Sequence, residues 1–310
     1  MAERIVEYEV HDWRFKRLAS MNARVVELWK GAAWAEGPVY FRDGDFLLFS
    51  DIPNDRILRF VPDLSGLGGT VSVFRQPAGY TNGHTRDREG RLVSCSHGHR
   101  RIERTEYDGT ITTLADRWNG KRLNSPNDVV VKSDGTIWFT DPAYGIDTDL
   151  EGWKAPMEYG GCWVFRFDPR DGRLEPVIQD MRRPNGLAFS PDERFLYVAD
   201  TGVSHDPAGP RHIRRFAVDD EGRLSGGEVF LTCDVGVFDG FRVDTEGRLW
   251  TSAGDGVHCY DPSGALLGKI LLPQRAANLC FGGKKRNRLF ICATTALYAV
   301  WTHVNGAQVP

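Results

Sequence analysis

Glu36-Gly-Pro-Val-Tyr-Phe, Asn82-Gly-His-Thr-Arg-Asp, Asn127-Asp-Val-Val-Val, Asn185-Gly-Leu-Ala-Phe, Asp239-Gly-Phe-Arg-Val and Asn278-Leu-Cys-Phe are six versions of one segment. In each, a polar residue stands at the head of a β-like run. A second hydrophobic run follows, starting at Phe46, Leu92, Ile137, Leu196, Leu249 and Leu289, at offsets of 10, 10, 10, 11, 10 and 11 residues. These starts are 46, 45, 59, 53 and 40 residues apart. Units of that length, each a group of short strands, have the period of propeller blades. The links between first and second runs carry turn chemistry: Asp43-Gly44, Glu89-Gly90, Asp134-Gly135, Ser190-Pro191-Asp192 and Glu246-Gly247, suited to short hairpin loops.

Further strands follow in most units. Ile57-Leu-Arg-Phe, Ile102-Glu-Arg-Thr, Trp163-Val-Phe-Arg-Phe, Ile213-Arg-Arg-Phe and Val257-His-Cys-Tyr read as third strands. The last unit has only Leu297-Tyr-Ala-Val-Trp after its second strand, whereas Val25-Val-Glu-Leu-Trp is spare before the first. Pairing the two closes the ring and removes an exposed edge. The expectation is an all-β, six-bladed β-propeller with four-stranded blades, its last blade closed by an N-terminal strand. Residues 24–310 form this single domain, and residues 1–23 are an N-terminal extension.

Bulk properties exclude other classes. The chain has 310 residues, 41% hydrophobic and 26% charged, with a net charge of −3. It has no basic excess for phosphate contacts, so nucleic acid is not an expected partner. No apolar run approaches the roughly 20 residues that span a bilayer, so no membrane partner is expected either. The first twenty residues are charged throughout and lack the apolar centre of a secretory signal. None of the six cysteines shows CxxC spacing. They read as reduced core thiols and the compartment as the cytoplasm.

The innermost strands of a propeller run parallel around a channel, and a residue at the head of each points into one mouth. That ring holds Glu36, Asn82, Asn127, Asn185, Asp239 and Asn278. Two carboxylates and several amide oxygens make a hard-oxygen donor set, suited to Ca²⁺, Mg²⁺ or Mn²⁺. Asn-Gly and Asp-Gly also read as turn dipeptides, but their fixed register with the next strand favours a metal ring. Two units are longer, with insertions after Asp141 (residues 143–161) and after Asp200 (residues 202–212). Both are placed to overhang the channel, and the first carries Tyr144, Trp153 and Tyr159.

Ala35-Glu36-Gly37-Pro38, Ser125-Pro126-Asn127-Asp128, Phe139-Thr140-Asp141-Pro142, Arg183-Pro184-Asn185-Gly186 and Asp239-Gly240 together resemble the senescence marker protein (regucalcin) and gluconolactonase family. The likeness covers essentially residues 24–301. The runs 80–91 and 121–144 look most like its bacterial gluconolactonase branch. The resemblance implies a propeller with one divalent cation held by Glu36, Asn127, Asn185 and Asp239. Calcium is the expected ion, with Mg²⁺, Mn²⁺, Zn²⁺ or Fe²⁺ as the others. It implies a substrate contact at Asn82. His97 lies in a Cys-x-His-Gly segment common in the branch, which often carries Glu where Ser96 stands here. The expected activity is hydrolysis of a gluconolactone-type sugar lactone to the aldonic acid. Asp239 is the expected base, with Asp128 and Asp141 as second choices. His97, Asp141, Tyr144 and Tyr159 join Asn82 as expected substrate contacts. His84 either lines the same mouth or faces the core. His97 and His99 lack the third donor of a second metal site. A phosphotriester hydrolase on the same ligands and a non-catalytic, cation-binding scaffold are the alternatives, because fold does not fix function.

Overall fold

The computed structural model describes residues 8–20 and 22–309. Six antiparallel sheets stand around an axis. Blade 1 is Ala35–Phe41, Phe46–Asp51, Arg56–Pro62 and Gly69–Arg75; blade 2 is Thr81–Arg86, Leu92–Ser96, Arg101–Thr105 and Ile111–Ala115. Blade 3 is Val129–Val131, Ile137–Asp141, Cys162–Asp168 and Arg173–Met181; blade 4 is Pro184–Phe189, Phe195–Asp200, His212–Val218 and Leu224–Thr232. Blade 5 is Phe241–Val243, Leu249–Ala253, Gly256–Tyr260 and Leu266–Leu271. Blade 6 is Ala276–Gly282, Arg288–Ala293 and Ala296–Trp301, completed by the N-terminal strand Val26–Lys30, where Val26 faces Ala299 and Lys30 faces Ala296. The first strand of every blade touches the first strands of the blades before and after it. The ring is therefore closed, as the spare strand predicts.

Strand alternation explains the core. Successive side chains point to opposite faces, and in a propeller both faces meet another blade. Leu47 and Phe49 pack against Phe290 and Leu297 of blade 6, while Leu48, between them, packs against Leu92 of blade 2. The same holds where Trp138 meets Leu196 and where Trp250 meets Leu289. Hence the runs read as continuous apolar stretches rather than as alternating ones. All six cysteines are free and buried.

The hairpin turns repeat one device. In Asp87-Arg-Glu-Gly-Arg91, Asp219-Asp-Glu-Gly-Arg223 and Asp244-Thr-Glu-Gly-Arg248, the Asp accepts from the backbone N–H groups two and four residues on. It also accepts from the closing arginine's Nε at 2.7, 2.7 and 2.8 Å. The Gly takes the positive φ the turn needs, between +80° and +85°.

Two features depart from the expected plan. The extension is structured over part of its length: Tyr8–Val10 is a fifth strand on blade 5, pairing with residues 268–270. It leads into a 3₁₀ turn, Trp13–Arg17, capped by Asp12, which buries Phe15 against Trp250. A three-residue strand inside a charged run has too little period to be read. Residues 1–7 and 21 of the extension lie outside the described residues. A two-residue hairpin, Arg117–Trp118 with Lys121–Arg122, also joins blades 2 and 3.

Candidate active site

The six polar residues stand where the inner strands begin, and the backbone there is irregular for a reason. Strand register shifts between Glu36 and Val39, Thr81 and His84, Pro184 and Leu187, and Ala276 and Asn278. A bulge of this kind re-aims a side chain. In blades 3 and 5 the polar residue instead precedes a shortened first strand.

The glycines after these residues are packing requirements. Gly83 N–H donates to Asn127 O (2.8 Å), Gly186 N–H to Asp239 O (3.0 Å) and Gly240 N–H to Ala277 O (2.8 Å). A Cβ would lie 1.9 Å from Asn82 O at Gly37, 2.4 Å from Asn127 O at Gly83 and 2.3 Å from Asp239 O at Gly186. Only Gly37 among them has a positive φ, +52°. Gly83, Gly186 and Gly240 are thus not turn residues. They let one blade's ring residue sit against the backbone of the next. Hydroxyls on second strands brace the same backbone: Ser50 Oγ donates to Asn82 O (2.9 Å), Thr140 Oγ1 to Asn185 O (2.8 Å), and Asp239 N–H donates to Ser252 Oγ (2.9 Å).

Glu36, Asn82, Asn127, Asn185 and Asp239 line one cavity of about 220 Å³, together with Tyr144 from the first insertion. Trp34, Ile52 and Val237 supply apolar wall, and Glu151, Thr201, Ser204, His205 and Arg275 complete it. Asn278 is not in this lining. Its Oδ1 accepts from Leu279 N–H at 2.8 Å.

The two insertions are tied together over the mouth. Tyr144 Oη lies 2.6 Å from Thr201 Oγ1 and 3.2 Å from Ser204 Oγ. Asp147 accepts from Arg183 at 2.6 Å and lies 3.3 Å from His205 Nε2. His97 is fully buried behind Asn82 rather than in the lining; its Nε2 is 3.3 Å from Asn82 Nδ2 and its Nδ1 3.1 Å from the Glu151 carbonyl oxygen.

Asp141 and Tyr159 stand apart from the cavity lining. They hydrogen-bond each other, Tyr159 stacks on Trp163 (centroids 4.6 Å apart), and Asp141 accepts from Asn124 N–H at 2.8 Å. Asp51 and Asp200 do the same at the ends of their own second strands, accepting from Ala33 N–H and from Arg182 and Arg183 N–H. Asp141 is one of a set of three that clasp the approach to an inner strand. Burial pushes it up to about 8. Asp128 lies outside the lining as well, 3.5 Å from buried Arg242. His84 faces the interior between Ser50 Oγ and Ser94 Oγ, each at 2.8 Å.

The cavity is short of positive charge. Burial, and next the charge of Asp239, push Glu36 well above the usual carboxylate range. Burial pushes Asp239 up to about 7, with Glu151 and Asp128 adding to it and Arg275 opposing. Two buried carboxylates among amide oxygens fit a hard divalent cation, whose charge would offset theirs. Among the described residues, no three His, Cys, Asp or Glu side chains converge as a metal cage. The donor set is a carboxylate–amide one. Glu151 and Arg275 escape the sequence reading because each sits in a connecting segment with no repeat register to mark it.

Comparison with known proteins gives the family and the fold. Residues 34–295 match the family described as the SMP-30/gluconolactonase/LRE-like region. A gluconolactonase of Zymomonas mobilis subsp. mobilis is 35% identical over 297 residues, spanning 88% of this chain and 80% of the relative. The solved gluconolactonase of Xanthomonas campestris superposes with a TM-score of 0.88 at 37% identity, covering 95% of this chain and 94% of that one. A calcium-binding regucalcin of Agrobacterium tumefaciens shares the fold at a TM-score of 0.71 and 19% identity, covering 90% of this chain and 94% of that one.

Proposed function

The chain belongs to the SMP-30/gluconolactonase/LRE-like family, and we propose that it is a divalent-cation-dependent hydrolase of sugar lactones. The observation that carries the reading is the convergence of Glu36, Asn82, Asn127, Asn185 and Asp239 on one cavity roofed by two insertions. The names of its relatives favour a gluconolactone-type substrate.

Glu36, Asn127, Asn185 and Asp239 are the proposed ligands. A bound divalent cation there supplies Lewis acidity to the lactone carbonyl. The chain's own groups do the rest. Asn82 and Tyr144 present hydrogen-bonding groups to the sugar hydroxyls, and Trp34 and Val237 exclude water from the ring face. Asp239 accepts the proton of the attacking water on a carboxylate oxygen. A carboxylate serves both as a ligand and as a proton acceptor, and Asp239 shares the cavity with a second acid, Glu151. Calcium is the proposed ion on donor type.

The test is acid release from glucono-, galactono- and xylonolactone by the purified protein, with Ca²⁺ added and then chelated. We expect hydrolysis well above the spontaneous rate, lost on chelation and restored by the ion. A rate indifferent to chelation removes the cation from the reaction. No rate above background with any lactone overturns the assignment, and turnover of a phosphotriester alone points to the other hydrolase class.

A further inference from the structure

We propose that His97 is a positioning residue whose tautomer is fixed by the overhanging insertion. Its Nδ1–H donates to the Glu151 carbonyl, which leaves Nε2 bare to accept from Asn82 Nδ2 and so turns the Asn82 carbonyl oxygen into the cavity.

The geometry leaves the ring little choice. His97 is fully buried, with Nδ1 3.1 Å from Glu151 O and Nε2 3.3 Å from Asn82 Nδ2. A carbonyl oxygen only accepts, so Nδ1 must carry the proton. A neutral imidazole then has an unprotonated Nε2, which requires a donor opposite. Asn82 meets that need only with its NH₂ group toward the ring. The reverse arrangement sets a bare Nδ1 against the Glu151 carbonyl, two acceptors facing each other in a buried site, a costly arrangement. Protonating both nitrogens would tolerate either amide orientation. Burial opposes that charge and pushes His97 down to about 4, although the Glu151 carboxylate lies 3.9 Å from Nδ1.

The insertion is pressed onto the ring by design of its backbone. A Cβ at Gly145 would lie 2.5 Å from His97 Cβ, and a Cβ at Gly152 would lie 2.2 Å from Gly145 O. Gly145 N–H is anchored on Ser125 Oγ at 2.9 Å. With two glycines, the loop folds flat over His97 and brings Glu151 O within reach. The seat of the insertion is thereby passed, through one imidazole, to the amide that faces the cavity.

The consequence for turnover rests on the reading that Asn82 meets the lactone. ¹⁵N spectroscopy of the ¹⁵N-histidine-labelled protein, with His97 assigned by its loss in His97→Gln, reads the tautomer without any assay. A neutral ring protonated at Nδ1 is expected. A ring protonated at Nε2, or at both nitrogens at pH 7, overturns the proposal. Kinetics give the second readout. His97→Gln keeps an acceptor opposite Asn82 and is expected to hold KM within about twofold. His97→Asn keeps only the donor toward Glu151 and is expected to raise KM about fivefold with kcat little changed. Equal KM values for the two variants overturn the positioning role. An unchanged KM in Asn82→Ala overturns the substrate contact and not the tautomer, which the spectrum decides alone.

Discussion

The two mouths of the channel are made by the same six strands and are opposites in chemistry. At the strand heads, Glu36, Asn82, Asn127, Asn185 and Asp239 line an open cavity. At the strand ends the chain covers itself. Residues 304–309 cross that mouth, between cavities lined by Val130, Ala188 and Val243 on one side and Val39, His84 and Phe281 on the other. Hydrogen bonds hold this strap along its length. Asn305 O accepts from Thr245 N–H (2.9 Å), Gly306 N–H donates to Arg286 O (2.8 Å) and Ala307 N–H to Val243 O (2.9 Å). Gln308 Nε2 donates to Thr85 Oγ1 (2.7 Å), and Arg88 donates to Val309 O (2.6 Å). The head mouth keeps two destabilised carboxylates in an open cavity, whereas the tail mouth uses its polar groups for closure. Substitutions at the two ends should therefore separate activity from stability.

The largest effect is expected at Asp239. Asp239→Asn keeps the shape and an oxygen donor but removes the negative charge and the proton acceptor. Lactone hydrolysis should fall by about 10²–10⁴-fold, while thermal unfolding shows a Tm equal to or above the wild type, since a buried charge beside Glu151 is gone. A variant with full activity removes Asp239 from the base role. Gly186→Ala should act next most strongly, and on both properties. Its Cβ would sit 2.3 Å from Asp239 O in a backbone conformation that alanine accepts. The inner strands of blades 4 and 5 must move apart, at a cost of about 3 kcal/mol by denaturant unfolding. The ring spreads with them, so activity falls too. Deleting residues 305–310 should do the reverse of Asp239→Asn. About 2 kcal/mol of stability is lost with the strap's hydrogen bonds, and kcat at a temperature well below Tm is unchanged. Loss of kcat in that truncation would show that the two mouths are coupled.

This contrast also explains what the sequence could disclose. Repetition is legible, so the six blades, the closing strand Val26–Lys30 and the ring heads all follow from register. Local turn preference is legible too, yet it misleads at Asn82-Gly83, Asn185-Gly186 and Asp239-Gly240. There the glycine answers to a neighbouring blade, to its backbone at Gly83 and Gly186 and to the Asn278 side chain at Gly240, a tertiary contact with no local signature. Asp141 shows the same limit from the other side. A carboxylate near a site resembles a functional one, and only its shared geometry with Asp51 and Asp200 identifies it as a clasp. Glu151 and Arg275 come to the cavity from segments outside the repeat. What breaks the symmetry of a propeller carries its specificity, and that part lacks the redundancy that makes the remainder readable.

The smallest predicted effect lies at the strand-end side and is read by pH. His84 is fully buried between two serine hydroxyls, and burial pushes it down from 6.5 to about 3. The folded protein cannot bind the proton that the unfolded chain takes up below pH 6.5. Stability is thus fully present above that value and is lost as pH falls toward 3, with a slope of at most about 1.4 kcal/mol per pH unit from this residue. Between pH 6.5 and 5 the loss is about 2 kcal/mol. His84→Gln can still bridge both serines and does not titrate, so its denaturation midpoint should fall less steeply over the same interval. Identical slopes for variant and wild type would mean that other groups, such as buried His97, carry the acid sensitivity. Because His84 lies outside the lining of the head-mouth cavity, its substitution should leave KM for lactone unchanged at pH 7, in contrast to His97→Asn one strand away.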